Sequence, residues 1–139
     1  MKIREIMTRD VRVASPDDTL QLAAQLMEKD DFGMLPVGEN DRLVGMLSDR
    51  DIVIRAVARA LAPDKVKVRD VMSTDVKYVF EDESVEEVAR NMSDLQMRRM
   101  PVVNRDKRLV GIVSLGDLAL TEPKPAGDAL KSISQHTHH

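Results

Sequence analysis

Leu43-Val44-Gly45-Met46-Leu47-Ser48-Asp49-Arg50-Asp51 returns 66 residues later as Leu109-Val110-Gly111-Ile112-Val113-Ser114-Leu115-Gly116-Asp117. In each stretch an apolar run carrying one glycine ends on a serine, and an aspartate follows three residues on. A short apolar run reads as a buried strand, and Ser-x-x-Asp reads as a helix start. Outward from this stretch the echo continues. Leu35-Pro36-Val37 matches Met100-Pro101-Val102, and Asp10-Val11-Arg12 matches Asp75-Val76-Lys77, both at a shift of 65. Lys2-Ile3-Arg4-Glu5-Ile6-Met7-Thr8 matches Lys67-Val68-Arg69-Asp70-Val71-Met72-Ser73 at the same shift, so one residue is inserted in the turn that follows the Pro-Val strand. Agreement over nearly a whole period makes the halves structural copies.

Each copy has the same grammar. Val11 to Ala14 is a short β-rich stretch, Ser15-Pro16 breaks it, and a helix is expected from about Asp18 to Asp30. Leu20, Ala23, Ala24 and Met27 share one helical face there, as Val85, Val88, Ala89 and Met92 do in the second copy. Ser84-Val85-Glu86-Glu87 has the spacing of a capping box. Two apolar strands follow, Met34 to Val37 and Leu43 to Leu47, joined by the turn signal Gly38-Glu39-Asn40-Asp41. A second helix is expected from Asp49 to about Leu61. The order is β-α-β-β-α, twice, in the α/β (α+β) class. Residues 1–63 form the first repeat and 64–121 the second, linked around Ala62-Pro63-Asp64; a tail over 122–139, with Pro123, Pro125 and Gly127, is expected to be flexible.

Composition excludes several classes of function. Of 139 residues, 42% are hydrophobic and 32% charged, the balance of a globular chain. With one Tyr and two Phe the core must be aliphatic, and the nine Met read as its gap-fillers. A net charge of −3 is too mild for wrapping nucleic acid or an anionic membrane. The absence of cysteine removes disulfides and thiolate metal sites. No apolar stretch reaches the ~20 residues of a membrane span, and the first ten residues lack a signal-peptide core, so a cytoplasmic chain is expected.

Two β-α-β-β-α repeats, each with an apolar-Pro-Val strand and then Gly-apolar-x-Ser-x-x-Asp, resemble CBS domains paired into a Bateman module. Gly45 to Asp51 and Gly111 to Asp117 are the two motifs, with Met7-Thr8 and Met72-Ser73 in the same pattern. The resemblance covers about residues 2–121 and implies two repeats packed through their sheets with pseudo-two-fold symmetry. It also implies a regulatory, energy- or metabolite-sensing role: an adenine nucleotide (AMP, ADP or ATP, with NAD-type dinucleotides and S-adenosylmethionine as further possibilities) bound in clefts between the repeats, and a signal passed to a separate effector protein.

The motif residues fit such a ligand chemically. A hydroxyl and a carboxylate meet free amides where a strand gives way to a helix, so ribose hydroxyls and phosphate oxygens both find partners. The plainer reading makes Ser48 and Ser114 N-caps and Asp51 and Asp117 first-turn stabilisers. By resemblance, the cleft owning Asp117 draws on Thr8, Val11, Arg12, Val13, Phe32, Gly33, Ile112 and Ser114. The cleft owning Asp51 draws on Met46, Ser48, Ser73, Val76, Tyr78 and Met97. Tyr78 can stack on a base, close the cleft, or serve as a half-buried strand residue. Arg98 and Arg99 stand where kinase-regulating members carry a phosphate-contacting His-Arg pair, although adjacent strand residues point to opposite faces; solvated surface charge is the other reading. Arg50, a cation at a helix start, implies a nearby anion. Arg55, four residues after Asp51, reads as its ion-pair partner. With a basic pair in its own repeat, the Asp117 cleft is expected to bind nucleotide more tightly.

No catalytic or metal-binding residue is expected. His136, His138 and His139 all stand in the terminal segment, there is no Gly-rich phosphate loop, and the Glu81-Asp82-Glu83 run needs only helix-start and solvation roles. The second helix, Ile52 to Leu61, is apolar almost all round and must be buried on more than one side. By resemblance such helices pair modules into a disc, so a homodimer is expected. A module that binds no nucleotide and works by dimerisation alone is the alternative.

Overall fold

The structure is a computed structural model that describes residues 1–121 together with Leu130 and Ile133. The three histidines and nearly all of the expected tail lie outside the described residues. The chain forms two compact units: Arg12–Val76, and Met1–Val11 with the chain from Lys77 onward. Each is a small α+β unit and is described by itself.

In the first-repeat unit, α1 (Leu20–Asp30) is capped by Thr19, whose Oγ1 accepts from the Leu22 N–H at 3.2 Å. It ends at Asp31 in the left-handed region, with φ 55°. Leu20, Ala23 and Met27 are buried, whereas Ala24, expected on the same face, is exposed. β1 (Met34–Glu39) and β2 (Arg42–Ser48) form an antiparallel hairpin with Leu35 opposite Leu47. Asn40 and Asp41 both have positive φ, the geometry of a two-residue turn that matches strand twist. The strand expected at Val11 to Ala14 is reduced to one parallel bridge, Ala14 to Val37. The second helix departs from expectation as well. Asp49–Ile52 is α-helical (α2), Val53–Val57 is a widened π turn, and Ala60 has φ 57°, so the helix stops short of Leu61.

The second-repeat unit repeats this plan and completes it. β3 (Val79–Phe80) runs parallel to β4 (Arg99–Val103), which pairs antiparallel with β5 (Leu109–Ser114). Between them α3 (Val85–Leu95) buries all four residues of its expected face, and Ser84 Oγ accepts from the Glu87 N–H at 3.1 Å. α4 (Leu115–Thr121) follows β5 directly. In the turn carrying the extra residue, Asn104 Oδ1 accepts from the N–H groups of Asp106 and Arg108, and Lys107 takes φ 62°.

The leading segments are exchanged. Met1–Val11 heads the first repeat yet belongs to the second-repeat unit, where the Ile3 N–H donates to the Glu83 carbonyl and the Arg4 N–H to the Glu81 carbonyl, both at 2.9 Å. Val68 and Arg69 make the equivalent bonds in the first-repeat unit, to Asp18 (2.9 Å) and Pro16 (3.0 Å). Ile3 and Val68 are fully buried in their respective cores. Both cores are aliphatic, and Met27, Met92 and Met100 are among the buried side chains. The acidic run has partners beyond solvent: Glu81 faces Arg4, Asp82 binds Arg105, and Glu83 accepts from the Phe80 N–H.

Candidate functional site

In each unit the repeated motif builds the same small structure where the last strand of the repeat passes into its helix. Asp51 Oδ2 accepts from the Ser48 N–H at 2.9 Å, and Ser48 Oγ accepts from the Asp51 N–H at 3.0 Å. Asp117 and Ser114 make the same reciprocal pair at 2.9 and 3.1 Å. Serine and aspartate thus cap the helix start in both copies. A carboxylate accepts at several positions, and the serine N–H occupies one of them. Both aspartates are half-buried.

The leading segment comes to the same place. Thr8 and Ile112 exchange backbone hydrogen bonds at 2.8 and 2.9 Å in the second-repeat unit, as Ser73 and Met46 do at 2.8 and 2.9 Å in the first. A hydroxyl residue, Thr8 or Ser73, is thereby bridged two residues before the motif serine. This approach explains the motif glycine. A Cβ on Gly111 would lie 2.8 Å from the Thr8 carbonyl oxygen and 2.7 Å from Met7 Sδ, and one on Gly45 would lie 3.0 Å from the Ser73 oxygen and 2.6 Å from Met72 Sδ. Only a residue without a side chain lets the segments come so close.

The compact units divide the expected residue sets. Thr8, Val11, Arg98, Arg99, Ile112, Ser114 and Asp117 share the second-repeat unit, as do Tyr78 and Met97. Met46, Ser48, Arg50, Asp51, Ser73 and Val76 share the first-repeat unit, as do Arg12, Val13, Phe32 and Gly33. Arg12 Nε stands 3.2 Å from Asp30 Oδ2, close enough for an ion pair but without the alignment of a hydrogen bond. Val13 covers Gly38. Tyr78 sits edge-on to Phe80 with ring centroids 5.7 Å apart, and Arg105 lies over the other aromatic ring of that pair at 4.2 Å. Met97 packs against the second-repeat core. Arg98, in the bend before β4, is exposed, and Arg99, the first residue of β4, is half-buried.

One residue role changes. Arg55 is not the ion-pair partner of Asp51: its Nη1 donates to the carbonyls of Val71 and Met72 at 3.0 and 3.2 Å, because the widened turn after Asp51 breaks the i,i+4 spacing the pair needs. Arg55 thus ties the second helix to the segment that carries Ser73. One residue was missed. Asp49 sits over Gly33, its Oδ2 2.8 Å from where a Cβ there would be. Its signal in the sequence was the contrast between copies, Gly33 with Asp49 against Arg98 with Leu115. Among the described residues no group of three His, Asp or Glu side chains is placed to hold a metal ion.

Comparison with known proteins agrees with the repeat. The family model described as "CBS domain" matches residues 3–57 and again 68–123. The CBS domain-containing protein YhcV of Bacillus subtilis is 40% identical over 139 residues, covering 99% of this chain and 98% of the relative. The CBS domain protein TA0289 of Thermoplasma acidophilum superposes with a TM-score of 0.81 at 31% identity, covering 99% of this chain and 77% of that one. The CBS domain pair of protein MJ0100, crystallised with 5′-methylthioadenosine and S-adenosyl-L-methionine, gives 0.72 at 29% identity over 89% of this chain and 97% of that one. With the family model matched in both copies, and with a relative this similar along its whole length, the chain belongs to the CBS domain family as a tandem pair.

Proposed function

We propose that the chain is a non-catalytic sensing module that binds adenine-containing nucleosides or nucleotides at its two Ser-x-x-Asp sites and signals to a separate partner. The observation that carries this reading is the duplicated site itself. A half-buried carboxylate is held by its own serine beside a bridged hydroxyl residue, in the same geometry at Asp51 and Asp117. A carboxylate so fixed can accept from ribose hydroxyls without first losing side-chain freedom. The MJ0100 domain pair, which carries adenosine derivatives, supports the ligand class.

A specific observation favours dimerisation alongside ligand binding. Val53, Ile54 and Val57 are exposed at 56, 46 and 66%, and Leu120 of the other repeat at 87%. Within one chain these residues lack the second buried side that their composition requires, so a second copy is proposed to cover them.

A thermal-shift series with adenosine, AMP, ADP, ATP, NAD and S-adenosylmethionine tests the ligand. At 100 times its dissociation constant a ligand adds about 2.7 kcal/mol, a rise of several degrees in Tm for a domain of this size. An unmoved melting curve at millimolar concentrations of all six would leave the dimerisation module as the function.

A further inference from the structure

We propose that Asp49 sets the ligand class at the Ser48–Asp51 site: it admits an adenine nucleoside whose 5′ substituent is uncharged or cationic, and turns away one that carries phosphate. The inference rests on the nucleoside-binding reading above and adds a division of labour between the two sites.

The copies make the same backbone bonds here, so the exchange of charge can be read residue by residue. The Asp49 N–H donates to the Gly33 carbonyl at 2.8 Å, and the Leu115 N–H donates to the Arg98 carbonyl at 3.0 Å. The next residue, Met34 or Arg99, opens the strand and pairs with the motif serine. Around Ser114–Asp117 this frame carries two guanidiniums and one carboxylate, from Arg98, Arg99 and Asp117. Around Ser48–Asp51 it carries two carboxylates and one guanidinium, from Asp49, Asp51 and Arg50.

Asp49 is also fixed in place. Its Oδ1 accepts from the Arg50 N–H at 2.8 Å, and its Oδ2 occupies the space a side chain at position 33 would take. Gly33 is the residue that makes room for it. A phosphate brought to this frame would meet a second negative charge beside the ribose-binding carboxylate, whereas a cation would meet a counter-charge. Rejection by like charge is as much a part of specificity as attraction. Because Asp49 is exposed, the discrimination should weaken as salt rises.

The test uses the full chain carrying Asp117→Ala, which weakens the other site, and titration calorimetry with three probes: adenosine, AMP and 5′-amino-5′-deoxyadenosine, whose ammonium stands where AMP has phosphate. Adenosine and the amine should bind about 10-fold or more tighter than AMP, the scale of one opposed charge pair at a partly shielded site. Asp49→Asn, which keeps the acceptor for the Arg50 N–H, should bring AMP to within a few-fold of adenosine and cost the amine about 10-fold. Asp49→Leu, the residue of the other copy, should do the same. Equal affinity for AMP and adenosine before Asp49 is changed, or a ratio unmoved by both variants, overturns this inference and leaves the nucleoside reading standing. If none of the three probes binds even the unsubstituted chain, the nucleoside reading falls, and this inference with it.

Discussion

Asp51 and Asp117 each cap a helix start and, in the proposed function, also bind ribose; their substitution separates the two. As caps they hold a helix start, a role worth about 1 kcal/mol. As ribose acceptors they would contribute a charge-assisted hydrogen bond of roughly 1.5–3 kcal/mol. Asp117→Ala should therefore weaken AMP binding about 10–100-fold while lowering stability only slightly. Asp51→Ala should leave the AMP affinity of the Asp117 site almost unchanged. Calorimetry on both variants decides the order, and a larger loss of AMP binding for Asp51→Ala would reverse it. Ser48, Ser114 and both aspartates were legible in the sequence because their spacing is the chemistry of a helix start. Asp49 was not, since the role proposed for it depends on its lying over Gly33, 16 residues away in the chain.

The second helix is the element that most departs from its sequence pattern. Ile52 to Leu61 reads as one continuous apolar helix, but only Ala56 is fully buried within the chain. A β-branched run gives a strong hydrophobic signal and a weak one for helical regularity, so the π turn at Val53–Val57 is not visible in it. The exposed residues on that turn carry the proposed self-association. Val57→Glu should convert a dimer to monomer at micromolar concentration in sedimentation velocity, because it places an unpaired charge in an apolar contact. Since Val57 is 66% exposed in the chain, its substitution should leave the Tm of the monomer within about a degree. A chain that already sediments as a monomer without substitution would remove the dimer.

Over the whole molecule, the exchange of leading segments links distant parts of the sequence. Ile3 heads the first repeat but is fully buried in the second-repeat core. Ile3→Ala should cost about 2–5 kcal/mol, and hydrogen exchange should show the loss in the amides of α3, β4 and β5 rather than in α1, β1 and β2. Uniform loss across both units would mean that they unfold as one. The same segments carry charge. Arg69 binds Asp17 by hydrogen bond and by charge and holds that carboxyl below its ordinary 3.8; Arg105 does the same for Asp82. An acid depressed in the folded state stabilises it at pH values above the unfolded pKa, and that contribution is lost as pH falls through the folded value. The Tm difference between the native chain and Arg69→Gln should therefore be present at neutral pH and vanish in strong acid. A difference that persists in strong acid would assign it to packing instead.

By itself the sequence determined the repeat, the helix–hairpin–helix core of each copy, the α+β class and the two Ser-x-x-Asp motifs, but not that the leading strand of the first copy shrinks to one bridge. These follow from short-range rules: apolar periodicity, turn residues such as Asn40-Asp41, and caps at fixed spacing. It did not determine which leading segment completes which unit, because Lys2–Thr8 and Lys67–Ser73 are near-copies and either would satisfy the same pattern. Tertiary structure decided that choice by burying Ile3 with the second repeat and Val68 with the first. It also decided the partner of Arg55 and the position of Asp49, because both depend on backbone groups brought together only when the strands and leading segments pack.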